Sequence, residues 1–322
     1  MAPVRAMVEL PLREGIGETE RKLGEAWKER YAPEVHDVVV HRVVPNPKLT
    51  IIVVSYRAEE YLIDCLRHIR GQTARDVSVE VLLADSGGLE HLRSKYGNLV
   101  DVDLRLRPGL PLNLARNAAM AWARGEHVAI VDDDGLVAPT FVEVIERVFE
   151  DAAIVAMRGR IVFKEHPYFT TLAGHYDRGD ELVDDVLATE GHMAIRRAVY
   201  LETGGFPDDF YGAEGVFLAY RIEKVFPGKR AVYVPDLLMR HDYFDGWKNF
   251  VWKTRKYRTI REVVGQLEPD PEWLAYLDAY SKKPKPMRAL GTEDWIAREL
   301  VKLARFFVVR APGWALPKKL RG

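Results

Sequence analysis

From Leu49 onward the chain alternates short runs of Val, Ile and Leu with longer stretches whose apolar residues recur every three or four positions. The runs Leu49 to Ser55, Val79 to Asp85, Val100 to Leu106 and His127 to Asp132 are apolar at most positions, as expected of strands covered on both faces. Between them, Glu59 to Arg70, Leu89 to Tyr96 and Leu112 to Ala123 read as amphipathic helices. Strand, helix, strand repetition of this length predicts right-handed crossovers and an α/β fold with a mostly parallel central sheet flanked by helices. Ligands of such sheets bind at the carboxyl ends of the strands, which makes Tyr56, Asp85 and the run Asp132 to Asp134 candidates for chemistry.

The pattern divides the rest of the chain. Residues 1–48 read as an N-terminal extension, with a charged helix from Thr19 to Arg30 and a strand around Val38 to Val44. Residues 49–245 read as the main α/β domain. In its second half the pattern predicts a helix from near Pro139 to Glu150, a strand over Ile154 to Phe163, a polar loop through Asp180 to Asp185 and a strand-turn-helix around His192 to Glu202. Gly204 and Gly205 then close that helix as a C-cap does. Residues 246–322 read as a helical region, with helices over Trp247 to Val264 and Glu293 to Val309 and prolines between them.

Composition narrows the class. With 48% hydrophobic and 30% charged residues the chain is an ordinary globular protein, and a net charge of -1 removes the basic surplus expected of a nucleic-acid binder. The lone Cys65 cannot form an internal disulfide, which points to a reducing compartment. No run approaches the length of a membrane span and the N-terminus lacks a signal-peptide layout, so a cytoplasmic location is expected.

The sharpest chemical feature is Ile130-Val131-Asp132-Asp133-Asp134-Gly135, a strand running into three carboxylates. Like charges this close call for a neutralising cation, and oxygen donors suit Mg²⁺ or Mn²⁺, ions that share a few carboxylates with substrate phosphates. Asp85, followed by Ser86-Gly87-Gly88, either accepts a hydrogen bond from the imide edge of a base or caps the next helix. Tyr56, just past the first strand, either stacks on a base or packs in the core.

These residues resemble the large inverting family of GT-A glycosyltransferases known as family 2. Four ordered landmarks between Leu49 and His241 carry the resemblance. They are Ile51-Ile52-Val53-Val54-Ser55-Tyr56 with Glu60-Tyr61-Leu62; Val81 to Gly88; Ala115-Arg116-Asn117 ahead of Asp132-Asp133-Asp134; and Gly204-Gly205-Phe206, Gly212-Ala213-Glu214-Gly215, Arg221, Pro235-Asp236 and His241. The last departs from the family pattern, because Glu214-Gly215 stands where the family usually has Glu-Asp.

The resemblance implies single displacement at the anomeric carbon of a nucleotide-diphosphate sugar, with inversion and transfer to an acceptor hydroxyl. It places Asp132 and Asp134 on the metal and Asp133, Ser55, Tyr56 and Asp85 at the donor nucleotide, with His241 either a third ligand through its imidazole or a structural histidine. Arg116 contacts the nucleotide or forms an ion pair that steadies the acids. The family's base is commonly the Asp of its Glu-Asp pair, so here the role shifts to Glu214; His192 contacts the sugar or acceptor. A UDP-sugar is favoured, since Asp85 and Tyr56 fit a small ring with one imide donor.

The acceptor class expected is a glycan, a lipid-linked molecule or a small molecule. Basic residues such as Lys282, Lys283, Arg288, Lys302 and Arg305 mix with aromatics in the tail, which reads either as a helix peripheral to the inner face of a membrane or as one packed on the catalytic domain. Two other functions compete. A nucleotidyltransferase would carry a Gly-rich basic loop after the first strand, which Ser55-Tyr56-Arg57-Ala58 is not; a non-catalytic nucleotide-sugar scaffold is suggested by Gly215.

Overall fold

The computed structural model describes residues 10–56, 59–209, 212–255, 270–283 and 287–310. Its strands are β1 (Val35–Val40), β2 (Leu49–Ser55), β3 (Val79–Asp85), β4 (Val102–Leu106), β5 (His127–Asp132), β6 (Leu136–Val137), β7 (Ile154–Val162), β8 (Val183–Asp184), β9 (His192–Arg196) and β10 (Arg230–Arg240). The helices are α1 (Glu18–Tyr31), α2 (Glu59–Arg70), α3 (Arg93–Tyr96), α4 (Leu112–Trp122), α5 (Phe141–Phe149), α6 (Pro167–Thr170), α7 (Arg197–Thr203) and α8 (Glu214–Val225). A helical segment over residues 246–255, α9, precedes α10 (Pro271–Lys282) and α11 (Thr292–Arg310).

The strands form one mixed sheet in the order β1-β4-β3-β2-β5-β9-β7-β10-β6, with β8 paired to β10. β4, β3, β2, β5, β7 and β10 run in one direction, whereas β9 is antiparallel to both β5 and β7, and β1, β6 and β8 are antiparallel to their partners. The parallel block is the part foreseen from the apolar runs. β1 enters it by pairing with β4, so the N-terminal segment contributes an edge strand to the sheet as well as packing on it.

Alternation along the strands builds two cores. Ile52, Leu82, Leu104 and Ile130 meet α1, α4 and α7 through Trp27, Ala115, Ala119 and Tyr200. Ile51, Val53, Val81, Leu83 and Val131 point to the other face, against Leu62, Cys65 and Leu66 of α2 and Phe141 and Ile145 of α5. Because both faces are covered, every residue of β2 is buried.

Local differences from the pattern have physical causes. Leu89 to Tyr96 is a tight 3₁₀ turn over Leu89–Leu92 followed by α3, entered through Gly88 at a φ of 76°. β9 runs directly into α7 with no turn between them, and α7 ends as expected at Gly204 (φ 83°) and Gly205 (φ 66°). α5 begins at Phe141, two residues past Pro139, and its first turn is capped from outside: Val142 N–H donates to the Gln72 side chain at 3.0 Å.

β10 is the element the pattern misses, since Pro235 inside a run argues against a strand interior. The structure accommodates it in a bulge: Val234 pairs with Gly159 and Leu238 with Arg160, leaving Pro235, Asp236 and Leu237 between adjacent partner positions.

Beneath the sheet's lower edge Glu80 and Arg124, 0% and 5% exposed, form a buried ion pair. Thr50 Oγ1 donates to Glu80 at 2.8 Å, and Arg124 donates to the carbonyls of Pro11 and Val44, both at 3.0 Å. This network ties the N-terminal segment to β2 and β3.

The C-terminal helices pack on the catalytic portion. Trp273 of α10 is buried with Val216, Ala219 and Tyr220 of α8, and Val301 and Val308 of α11 close an aromatic cluster of Phe169, Phe244 and Phe250. The remaining part of the helix expected over Trp247 to Val264, and the basic residues beyond 310, lie outside the described residues. No helix among the described residues is long and apolar enough to cross a membrane.

Candidate active site

Sheet register assembles the site. Ser55 pairs with Asp85 and Val54 with Asp132, so the carboxyl ends of β3, β2 and β5 stand level. Asp132 N–H donates to Gly191 O at 2.9 Å. A Cβ on Gly191 would lie 1.8 Å from Asp132 Cγ, so only glycine lets the acid sit against the start of β9.

The Ala115-Arg116-Asn117 landmark divides its work. Asn117 donates to Phe206 O at 2.7 Å and to Asp208 at 2.8 Å and accepts from Tyr200 Oη at 2.6 Å, locking the Gly204-Gly205-Phe206 segment onto α4. Arg116, 3% exposed, donates to Asp132 Oδ1 at 3.1 Å and faces Glu214 Oε1 at 3.8 Å. The ion pair, one of its two expected roles, is present, and the same side chain lines the cavity described below.

Asp132, Asp134 and His241 come together, each offering a ligand atom within 4.8 Å of the others. His241 sits just past β10; its backbone N–H donates to Val162 O at 2.9 Å, its Nδ1 meets Tyr176 Oη at 3.2 Å, and its Nε2 faces Asp134 Oδ1 at 3.2 Å. Burial opposes the charge on His241, yet Asp134 and Asp132 hold its pKa above the usual value. Asp134 is half-buried, and against that partial burial His241, Lys164 and Lys253 hold its carboxyl down at about 2. Two carboxylates and an imidazole around one point form a donor set that fits Mn²⁺ or Mg²⁺. Lys164 braces the turn, donating to Asp134 O at 3.3 Å with its ammonium 3.6 Å from the Tyr61 ring centroid.

Asp133 turns the other way. Burial pushes its carboxyl up to about 7 against the opposing influence of the nearby Ser55 hydroxyl and Tyr56 backbone, while Asp134 and Asp132 add to the rise. Tyr56 is 52% exposed, which sets core packing aside.

Asp85 takes the capping alternative. Its carboxylate, 4% exposed, accepts the N–H groups of Gly87 and Gly88 at 2.9 Å and of Leu89 at 2.8 Å, shaping the turn after β3. His192 is fully buried, stacks on Phe141 with centroids 5.7 Å apart and bonds through Nε2 to Leu237 O at 2.8 Å. Burial lowers its pKa to about 4, so the ring is neutral and anchors the β10 bulge from beneath the cavity.

A cavity of about 170 Å³ opens beside these groups, lined by Arg116, Asp132, Glu190, Glu214, His241 and Lys253 among others. Glu190 is the site residue that sequence reasoning misses. It lies one residue before Gly191-His192, in a stretch with no periodicity to mark it, and the sole hint was the missing acid at position 215. Gly215 N–H donates to Glu190 Oε1 at 2.9 Å.

The geometry now has context from other proteins. A model of the glycosyl transferase family 2 matches residues 50–205. The glucosyl-dolichyl phosphate glucuronosyltransferase of Haloferax volcanii is 23% identical over 229 residues, 64% of this chain and 72% of that protein. The chondroitin synthase of Pasteurella multocida is 26% identical over 202 residues, 59% of this chain but only 20% of that longer protein. Among solved structures, the mannosyltransferase PcManGT from Pyrobaculum calidifontis in complex with GDP-Man and Mn²⁺ is similar with a TM-score of 0.48 and 17% identity over 91% of this chain and 89% of that one. S. aureus TarS 1–349 in complex with UDP-GlcNAc has a TM-score of 0.49 and 16% identity over 83% and 82% of the two chains. The glycosyl transferase family 2 match spans both the parallel block and the acidic run at its edge, so residues 50–205 carry a domain of that family with the GT-A fold.

Proposed function

We propose that this protein moves a sugar from a nucleoside diphosphate donor to an acceptor hydroxyl, with Mn²⁺ or Mg²⁺ held by Asp132, Asp134 and His241. The observation that carries the reading is the convergence of those three side chains within 4.8 Å, two of which, Asp132 and His241, line a cavity that also presents Glu190 and Glu214. When bound, the ion neutralises charge growing on the departing diphosphate. Arg116 keeps Asp132 aimed at it, and Lys164 fixes the turn that carries Asp134.

The exposed Tyr56 ring stacks on the base, above the turn that Asp85 shapes, while Asp133 and Ser55 face the ribose side. A UDP-sugar fits this small platform best. Across the cavity a carboxylate receives the acceptor's proton, Glu214 and its neighbour Glu190 being the two candidates on that wall, and displacement proceeds with inversion, as the family resemblance implies. The acceptor is a glycan, a lipid-linked molecule or a small molecule. The outer face of α11 supports a lipid-linked one, because Trp295, Leu300, Leu303 and Phe307 are exposed there beside Arg298, Lys302 and Arg305.

Calorimetry with UDP and GDP, with Mn²⁺ or with chelator, tests the reading. Binding that needs the ion supports it; equal affinity in chelator overturns the metal assignment. Release of UDP from a UDP-sugar, without pyrophosphate, separates it from a nucleotidyltransferase, and any turnover separates it from a scaffold.

A further inference from the structure

Position 215 has no room for a side chain. A Cβ there would lie 1.7 Å from Leu187 O and 2.8 Å from Glu190 Oε1. The segment before β9 occupies the space into which an acid at 215 would project, and it brings its own carboxylate. Gly215 is therefore an exchange and not a simple loss.

The two acids of the pair are held differently. Glu214 is 3% exposed, accepts Gly212 N–H at Oε2 and faces Arg116 with Oε1 at 3.8 Å, so both oxygens are committed. For Glu190, among the described residues, the hydrogen bond from Gly215 N–H is the one that another residue makes to the carboxyl. Both acids line the cavity with Asp132 and Arg116.

We propose that Glu190, carried by the segment before β9, is the general base of the transfer reaction, and that Glu214 is a positioning residue holding Arg116 toward Asp132. The inference rests on the glycosyl-transfer reading above. In the step, the acceptor O–H gives its proton to Glu190 while its oxygen bonds to the anomeric carbon. The bond from that carbon to the diphosphate oxygen breaks, its electron pair leaves with the nucleoside diphosphate, and Glu190 returns the proton to solvent before the next turnover.

The surroundings suit the role. Burial and the neighbouring Glu214 raise Glu190 above the ordinary carboxylate range, with Arg116 opposing. A more basic carboxylate is a better proton acceptor near neutral pH. The other titratable groups on the cavity wall are Asp132, His175, His192, His241, Tyr176, Tyr243 and Lys253.

The test uses the full chain with Mn²⁺ and two probes, UDP-GlcNAc and GDP-mannose, with water standing in for the acceptor hydroxyl. Nucleoside diphosphate release is followed from pH 5 to 9, and UDP or GDP affinity is measured alongside. Glu190→Gln keeps the bond from Gly215 N–H and should slow release by about 10²-fold or more, with nucleotide affinity within threefold of wild type. The acidic limb of the wild-type profile should lie above the usual carboxylate range and vanish in this variant. Glu214→Gln should retain that limb. Release by Glu190→Gln within threefold of wild type overturns the assignment, as does loss of the limb in Glu214→Gln alone. Should Glu190→Gln melt early, Glu190→Asp keeps the acid and must keep a pH-dependent, slower release; a flat profile there also overturns it. Failure of the wild type to bind or turn over either probe appears before any variant is made and sinks the donor reading instead.

Discussion

Nε2 of His241 stands 3.2 Å from Oδ1 of Asp134, although 107 residues separate them in the chain. One comes from the end of β10 and the other from the turn after β5, so the pair exists only when the two halves of the sheet are assembled. Replacing His241 with Ala should leave the fold intact and weaken Mn²⁺-dependent UDP or GDP binding by tenfold or more. Calorimetry at fixed Mn²⁺ reads this directly, and unchanged affinity would remove His241 from the ligand set.

Arg116 separates two acids that would otherwise face one another across the cavity floor. Arg116→Met keeps much of the length but strands Glu214 and Asp132, at a cost of about 2–4 kcal/mol, somewhat below a fully buried pair because Asp132 is partly open to solvent. Urea unfolding measures the loss. A stability within 0.5 kcal/mol of wild type, as an order-of-magnitude bound for an ordinary surface change, would show that the acids find another partner.

Gly191→Ala tests space. The added methyl would overlap the Asp132 carboxylate, so Asp132 must move; overpacking of this sort costs about 1–3 kcal/mol. Metal-dependent nucleotide binding should fall further than stability does. Normal binding in a stable Gly191→Ala protein would mean that Asp132 is not needed where it stands.

Charge pairs elsewhere differ in worth. Breaking the buried Glu80–Arg124 pair by Glu80→Ala should cost about 3–5 kcal/mol, since it leaves a guanidinium without its acid under the sheet. Removing Glu126 from half-exposed Lys48 should cost about 0–1 kcal/mol. Paired thermal or urea melts compare them, and equal losses would contradict the argument from burial.

α11 has two apolar faces. Val301 and Val308 close the cluster of Phe169, Phe244 and Phe250, so deleting everything after Leu290 would expose that cluster. Changing the outward Leu300, Leu303 and Phe307 to Gln spares it. Those changes should reduce sedimentation with vesicles containing phosphatidylserine while nucleotide binding stays unchanged. Vesicle binding that does not respond would dismiss the membrane role for this helix.

The parallel block was legible because strands buried on both faces must be apolar at nearly every position, and their polar ends then stand out. Direction was not legible: β9 has the same kind of run as its neighbours but lies antiparallel between β5 and β7, and nothing in its side chains encodes that. Asp132 and Asp134 could be found from local sequence, whereas His241 needed the family resemblance and Glu190 had neither. Arg116 and Asp85 were singled out correctly as special, yet their partners decide what they do. Arg116 faces acids, one of them from α8, a relationship set by tertiary structure, whereas Asp85 faces three N–H groups of the turn that follows it, as the capping alternative required.

The bulge in β10 has a consequence for how such a site can change. Arg230 to Val234 and Leu238 to Arg240 are each paired to β7 on their own account, and the three residues between them carry no partner position. The strand therefore holds a spacer between the part that anchors it and the part that aims His241. Variation in the length or stiffness of that spacer can retune how His241 is presented to Asp132 and Asp134 while every core pairing stays as it is, so the proposed ion site can drift over evolution, or be engineered, without reopening the problem of folding.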